Sequence, residues 1–224
     1  TTMTFFDNLL FSSNYTPQLS SAELYREYEA YNEAVSALKL RQFDHQDRRP
    51  VADRRIRIGY SSADFCAHAC RFFIEPIFRN HDRNQFELFA YCNNERSDDH
   101  TERMKGYFDH WIDVFPMSDD AMAERIYDDQ IDIMIDMAGH TQGNRLLVFA
   151  MRPAPIQATS WIGYGYTTGL KEIDYIIADE NFVPAGSEAY FSEQVWRLPA
   201  PSIVYEPPRD ITPDVMDLPA LRKG

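Results

Sequence analysis

The chain has 224 residues, 44% hydrophobic and 25% charged, and its 35 acidic against 22 basic side chains give a formal net charge of −13. That charge disfavours a nucleic-acid or anionic-membrane partner, because phosphate binding needs a basic face, and no run approaches the ~18 apolar residues of a membrane span. A chain of this size buries roughly 70% of its unfolded surface without a metal or disulfide staple. Its three cysteines, Cys66, Cys70 and Cys92, are odd in number, lack metal-ligand spacing and read as free thiols of a reducing cytoplasm, with no metal expected.

The opening residues Thr1-Thr2-Met3-Thr4-Phe5-Phe6-Asp7 lack the basic n-region of a signal peptide. Ser20-Ser21-Ala22-Glu23 supplies a helix cap and a first-turn acid. Leu24, Tyr28, Tyr31, Val35 and Leu38 then recur at helical spacing through Leu40, which predicts one helix of about five turns. Residues 44–53 are charged and contain Pro50, as a linker does, so residues 1–50 are expected to form a helical segment preceding the main domain.

From residue 56 strands and helices alternate. Strands are predicted over 56–60, 86–92, 111–115, 131–137, 156–161, 175–178 and 195–198. Helices are predicted over 71–80, with Pro76 kinking it, over 98–109 and over 118–129. Such alternation means βαβ units and an α/β fold with a mostly parallel sheet. In open sheets of this kind ligands sit beyond the carboxyl ends of the strands, and three polar segments fall there.

The first is Ser61-Ser62-Ala63-Asp64-Phe65-Cys66-Ala67-His68, where an acid and an imidazole four apart can hold one tautomer and move a proton. The alternative is that Asp64 caps the next helix and His68 packs. No Gly-x-Gly-x-x-Gly follows this strand, which argues against a dinucleotide site. The second, Asp136–Arg145, crowds His140, Thr141, Gln142, Asn144 and Arg145 around two glycines, a density suited to sugar hydroxyls. A loop whose Asn and Thr cap a helix starting near Arg145 would look the same. The third runs from Arg152-Pro153-Ala154-Pro155 through a buried strand into Trp161-Ile162-Gly163-Tyr164-Gly165-Tyr166-Thr167-Thr168-Gly169, either stacking faces for a sugar or peptide or plain turn chemistry.

Taken together, Arg57-Ile58-Gly59-Tyr60-Ser61-Ser62-Ala63-Asp64-Phe65-x-x-His68, Gly139-His140-Thr141-x-Gly143-Asn144-Arg145, Arg152-Pro153-Ala154-Pro155-Ile156-Gln157 and Asp174-Tyr175-Ile176-Ile177-Ala178-Asp179 resemble the O-GlcNAc transferase and SPINDLY family, glycosyltransferase family 41. Order and spacing agree over about residues 55–206. Asn8-Leu9-Leu10-Phe11-Ser12-x-Asn14-Tyr15 also resembles the helix that joins that family's tetratricopeptide repeats to its catalytic region.

The resemblance implies a Rossmann-like acceptor-side lobe of a GT-B enzyme over residues 51–206, with 207–224 opening the connection to a second lobe. That second lobe would hold most of the nucleotide-sugar donor, UDP-GlcNAc, so no other cofactor is expected. The implied reaction is inverting transfer to Ser or Thr of a cytoplasmic protein. The implied partners are acceptor proteins or peptides and the chain's own carboxyl-terminal lobe, with neither nucleic acid nor membrane. An O-fucosyltransferase using GDP-fucose and a non-catalytic peptide-binding lobe are the alternatives.

By position in the family, Asp64 and His68 match catalytic residues near the reacting hydroxyl. His140, Thr141, Ile162, Gly163 and Tyr164 match residues lining the acceptor and sugar pocket. Two departures stand out: Gly163-Tyr164-Gly165-Tyr166-Thr167 replaces the family's Gly-Tyr-Pro-Gly-Thr, and Phe5-Phe6 stands where some relatives carry His. An independent receiver-like domain would need clustered acids after the first strand, where Asp64 stands alone.

Overall fold

Strand residues alternate between the two faces of a pleated sheet, so a strand buried on both faces reads as nearly continuous apolar sequence. The chain uses this pattern throughout. In a computed structural model that describes residues 2–208 apart from 49, 51, 53, 161 and 163, seven strands form one sheet. They are β1 (Ile56–Ser62), β2 (Phe86–Cys92), β3 (His110–Asp113), β4 (Ile133–Asp136), β5 (Ile156–Ser160), β6 (Tyr175–Ala178) and β7 (Gln194–Arg197). Their order is β3-β2-β1-β4-β5-β6-β7, and every pairing is parallel. This is a Rossmann-like α/β lobe.

Side-chain alternation divides the core in two. Ile58 and Tyr60 of β1, Leu88, Ala90 and Cys92 of β2 and Ile135 of β4 face one cluster, which α3 (Arg71–Arg79) and α4 (Asp99–Lys105) close with Ile74, Phe78 and Met104. Phe89 and Tyr91 of β2 and Met134 of β4 face the other. That cluster is covered by Met122 and Ile126 of α5 (Asp119–Asp128) and by Val148 and Phe149 of α6 (Leu146–Ala150).

Residues at the start of the chain also enter the second cluster. Leu10 of α1 (Thr2–Ser13), Tyr28, Tyr31 and Val35 of α2 (Ser21–Ala37), and Phe43 beyond it are all buried there. The segment expected as a helical linker therefore contributes core to the lobe. α2 begins with a capping box: the Ser20 hydroxyl accepts the Glu23 amide and the Glu23 carboxylate accepts the Ser20 amide.

The element bounds differ from expectation where a polar group does unexpected work. β1 runs on to Ser62 because Ser61 and Ser62 keep their register with Tyr91 and Cys92. The helix expected over 98–109 ends at Lys105, since Asp109 serves the sheet instead: its carboxylate accepts the Leu88 amide and pairs with Arg55 and Arg83. β4 starts at Ile133, not 131, because Asp132 accepts the Arg57 amide and both Arg54 nitrogens. Pro76 does fall inside α3.

The chain order reverses between β1 and β4. β2 and β3 build outward on one side and β4 to β7 on the other, so the crevice beyond the carboxyl ends of β1 and β4 is the topological switch point where such folds bind ligands.

Candidate active site at the carboxyl ends of β1 and β4

Beyond β1 the backbone turns at Ser62, whose hydroxyl accepts the Asp64 amide at 2.9 Å. The next residues are pinned from below. Phe65 is fully buried, its carbonyl accepts the Thr101 hydroxyl, and the Ala67 amide donates to the Asp98 carboxylate. Asp98 is also the cap of α4. This anchoring leaves Asp64 and His68 on the rim, with His68 Nδ1 3.6 Å from Asp64 Oδ2 and side chains 48% and 23% exposed respectively. Asp64 does not cap α3, which starts at Arg71 with no side-chain cap, and His68 is no packing residue.

Burial raises the Asp64 carboxyl above the ordinary aspartate range, while the adjacent imidazole pulls it down. Burial, then the Asp64 charge, pushes the Cys70 thiol up to about 11. His68 Nδ1 also faces the Cys70 amide at 3.4 Å. A proton on Nδ1 therefore favours Asp64 and leaves Nε2 basic, whereas a proton on Nε2 leaves Nδ1 to accept the amide.

Beyond β4 the buried Asp136 carboxylate builds a turn, accepting the amides of Ala138 and Gly139 and the Thr159 hydroxyl. Gly139 sits at φ 52°, in the left-handed region, where a Cβ would meet Tyr164 Cγ at 2.7 Å. The turn delivers Thr141 to the same cleft as Asp64 and His68, an opening of about 480 Å³ that Asn93, Arg96 and Gln142 also border.

The other residues of the sequence expectation are placed differently. His140 points inward and its side chain is wholly buried, with Nδ1 2.7 Å from an Asp7 carboxylate oxygen and Nε2 2.8 Å from the Thr168 carbonyl. Tyr28, Tyr31 and Tyr164 surround it edge-on. Ile162 and Tyr164 are buried too; the Tyr164 hydroxyl accepts from Asn14 at 2.6 Å and contacts the Tyr28 hydroxyl, and burial raises it to about 12. Gly163 lies outside the described residues. Asp64, His68 and Thr141 thus share one open cleft, while His140, Ile162 and Tyr164 sit behind it.

Arg145, grouped by sequence with sugar-binding polar residues, instead bonds Asp119, Asn93 and the carbonyls of Val114 and Met117. The N-cap of α6 is Arg145, with no side-chain cap; Asn144 lies one residue before it, and its side-chain oxygen accepts the Leu146 amide.

Sequence reasoning missed Asn93, Asn94 and Arg96, which border the cleft from beyond β2. Their place just after a strand beside the switch point was the available signal. It also missed Asp7, the partner of His140, which stands next to the Phe5-Phe6 departure. Phe6 packs edge-on against Tyr31. In the other departure, Tyr166 packs edge-on against Tyr28 and Phe191, with its hydroxyl buried and, among the described residues, without a hydrogen-bond partner.

Comparison with known proteins gives a consistent result. The sequence model described as Glycosyl transferase family 41 matches residues 25–205. The "Probable UDP-N-acetylglucosamine--peptide N-acetylglucosaminyltransferase SPINDLY" of Oryza sativa subsp. japonica is 34% identical over 97% of this chain and 24% of its own length. The correspondingly named SEC protein of Arabidopsis thaliana is 37% identical over 79% of this chain and 19% of its own. A mutant of the Thermobaculum terrenum O-GlcNAc transferase superposes with a TM-score of 0.84 at 32% identity, covering 93% of this chain and 40% of that one. The chain spans about a fifth to a quarter of the length of the curated relatives it matches. Among the described residues, no helix is long and apolar enough to cross a membrane.

Proposed function

This chain belongs to glycosyl transferase family 41, and we propose that it is the acceptor-side half of a cytoplasmic, inverting protein O-glycosyltransferase that moves GlcNAc from UDP-GlcNAc to Ser or Thr hydroxyls. Its partners are acceptor proteins or peptides and a carboxyl-terminal lobe that holds most of the nucleotide sugar. The names of the relatives, as peptide N-acetylglucosaminyltransferases, support this choice of donor and acceptor.

One observation carries the proposal: an acid–imidazole pair stands half-open at the switch point, 3.6 Å apart, with Thr141 across the same cleft. In the proposed step the acceptor oxygen bonds to the anomeric carbon as the bond from that carbon to the diphosphate breaks, which inverts the centre. The hydroxyl proton passes to His68 Nε2, and Asp64 holds Nδ1–H and stabilises the imidazolium. Charge on the leaving diphosphate is met from outside this chain, so residues 1–224 alone carry no measurable transfer.

The test uses the intact protein, UDP-GlcNAc and acceptor proteins of the source cell, read by mass spectrometry as HexNAc addition. His68→Ala and Asp64→Asn are expected to lower transfer about 10²–10⁴-fold with unchanged melting temperature. In the parent, acid lowers transfer in part by protonating Asp64, whose carboxyl burial raises, and Asp64→Asn removes that part of the acidic limb. Full transfer in both variants would refute the assignment, and deoxyhexose in place of HexNAc would refute the donor.

A further inference from the structure

The irregular segment between β1 and α3 gathers three donors of different chemistry. The Asp64 carboxylate, the His68 imidazole and the Cys70 thiol each offer one ligand atom, and these atoms lie within 4.8 Å of one another. All three residues border the open cleft. Ligand atoms around a tetrahedral zinc-type ion, with bonds of about 2.0–2.3 Å, sit roughly 3.3–3.8 Å apart. His68 Nδ1 and Asp64 Oδ2 already meet that spacing at 3.6 Å.

The Cys70 amide lies 3.4 Å from the same Nδ1, which holds the backbone that carries the thiol beside the imidazole. Magnesium and calcium take oxygen ligands; a thiol beside an imidazole and a carboxylate selects a softer ion. Three protein ligands leave a fourth position facing the cleft, as open zinc sites do. In sequence, Cys66 and Cys70 lacked a second pair and no metal was expected. The fold instead joins Cys70 to an acid and an imidazole drawn from the same seven-residue segment, 64–70.

We propose that Asp64, His68 and Cys70 form a binding site for a thiophilic divalent cation of the zinc type, and that its occupation withholds Asp64 and His68 from the acceptor hydroxyl. On binding, a sulfur–metal bond forms, the thiol proton goes to solvent, and His68 moves its ring proton from Nδ1 to Nε2 and gives the ion its Nδ1 lone pair. The cation is then an inhibitor of transfer, not a participant. The inhibitory half rests on the proposed function; the binding half does not.

Cobalt(II) added to the intact protein tests the binding directly. A thiolate-to-cobalt charge-transfer band with strong visible absorption is expected, bleached by zinc(II). Cys70→Ser removes the band and weakens zinc binding by at least the roughly 10–100-fold that loss of an outer-shell partner alone produces. His68→Ala, at a half-exposed position, does the same should Cys70→Ser fail to fold, and Cys66→Ser keeps the band. Absence of the band in the parent, or its survival in both Cys70→Ser and His68→Ala, overturns the site. In the transfer assay, zinc(II) is expected to inhibit at the concentration that bleaches the band; a bleached band with undiminished transfer overturns the blocking role. Absent transfer with an intact band counts against the proposed function and leaves the site standing.

Discussion

Two neighbouring turns on the same rim have opposite characters. After β1, Asp64 and His68 stand in water's reach with few fixed partners of their own. After β4, His140 is sealed among three tyrosines with both ring nitrogens bonded. The first arrangement can exchange protons with a visitor; the second holds the rim together. An imidazole at a strand end is thus no guide to its role until its nitrogens are accounted for.

His140→Ala is the sharpest way to break that contrast. Removing a buried ring leaves a cavity and strips Asp7 and the Thr168 carbonyl of their partner, so a stability loss of about 3–4 kcal/mol is expected in denaturant melts. Loss of transfer without loss of stability would mean that His140 opens to substrate in the working enzyme, and the contrast would fall. Gly139→Ala comes next, at about 2–3 kcal/mol, because the new methyl meets Tyr164 at a left-handed backbone position. A neutral result there would show that the tyrosine cluster yields easily.

Smallest is Asp132→Asn, at the opposite end of the sheet, where about 1–2 kcal/mol is expected at neutral pH. Burial alone would raise this carboxyl, yet the Arg54 fork and the Arg57 amide hold it below the usual aspartate range. A depressed folded pKa means stability present above the unfolded value of about 3.9 and lost as pH falls through the folded one. The melting-temperature gap between parent and variant should therefore close below about pH 4, and a gap that stays constant in acid would refute this account.

Much of the fold was legible because apolar runs and caps are local signals: Phe86–Cys92 and Tyr175–Ala178 fall where the sequence placed them, and Ser20 and Ser118 cap as expected. Strand bounds at Ser61 and Ser62 were not, since polar side chains hide a strand whose backbone stays paired, and the strand read through Asp132 starts only at Ile133, where the ties of that carboxylate to Arg54 and Arg57 end. At the site, spacing after β1 pointed to Asp64 and His68. Nothing local could show that His140 turns inward, because its partners Asp7 and Thr168 lie 133 and 28 residues away. The joining of Cys70 to Asp64 and His68 depends on how Phe65 and Ala67 are tethered to α4, which is likewise a property of the folded chain.

The Arg145 guanidinium reaches Asn93 beyond β2, carbonyls beyond β3 and Asp119 in the first turn of α5, and Asn93 in turn donates to the Gly143 carbonyl. These loops are consequently spokes on a single hub. None can lift away without breaking charge-assisted bonds held in common, so their local openings share one free energy. A macromolecule settling onto any one of them would meet the stiffness of the whole wheel.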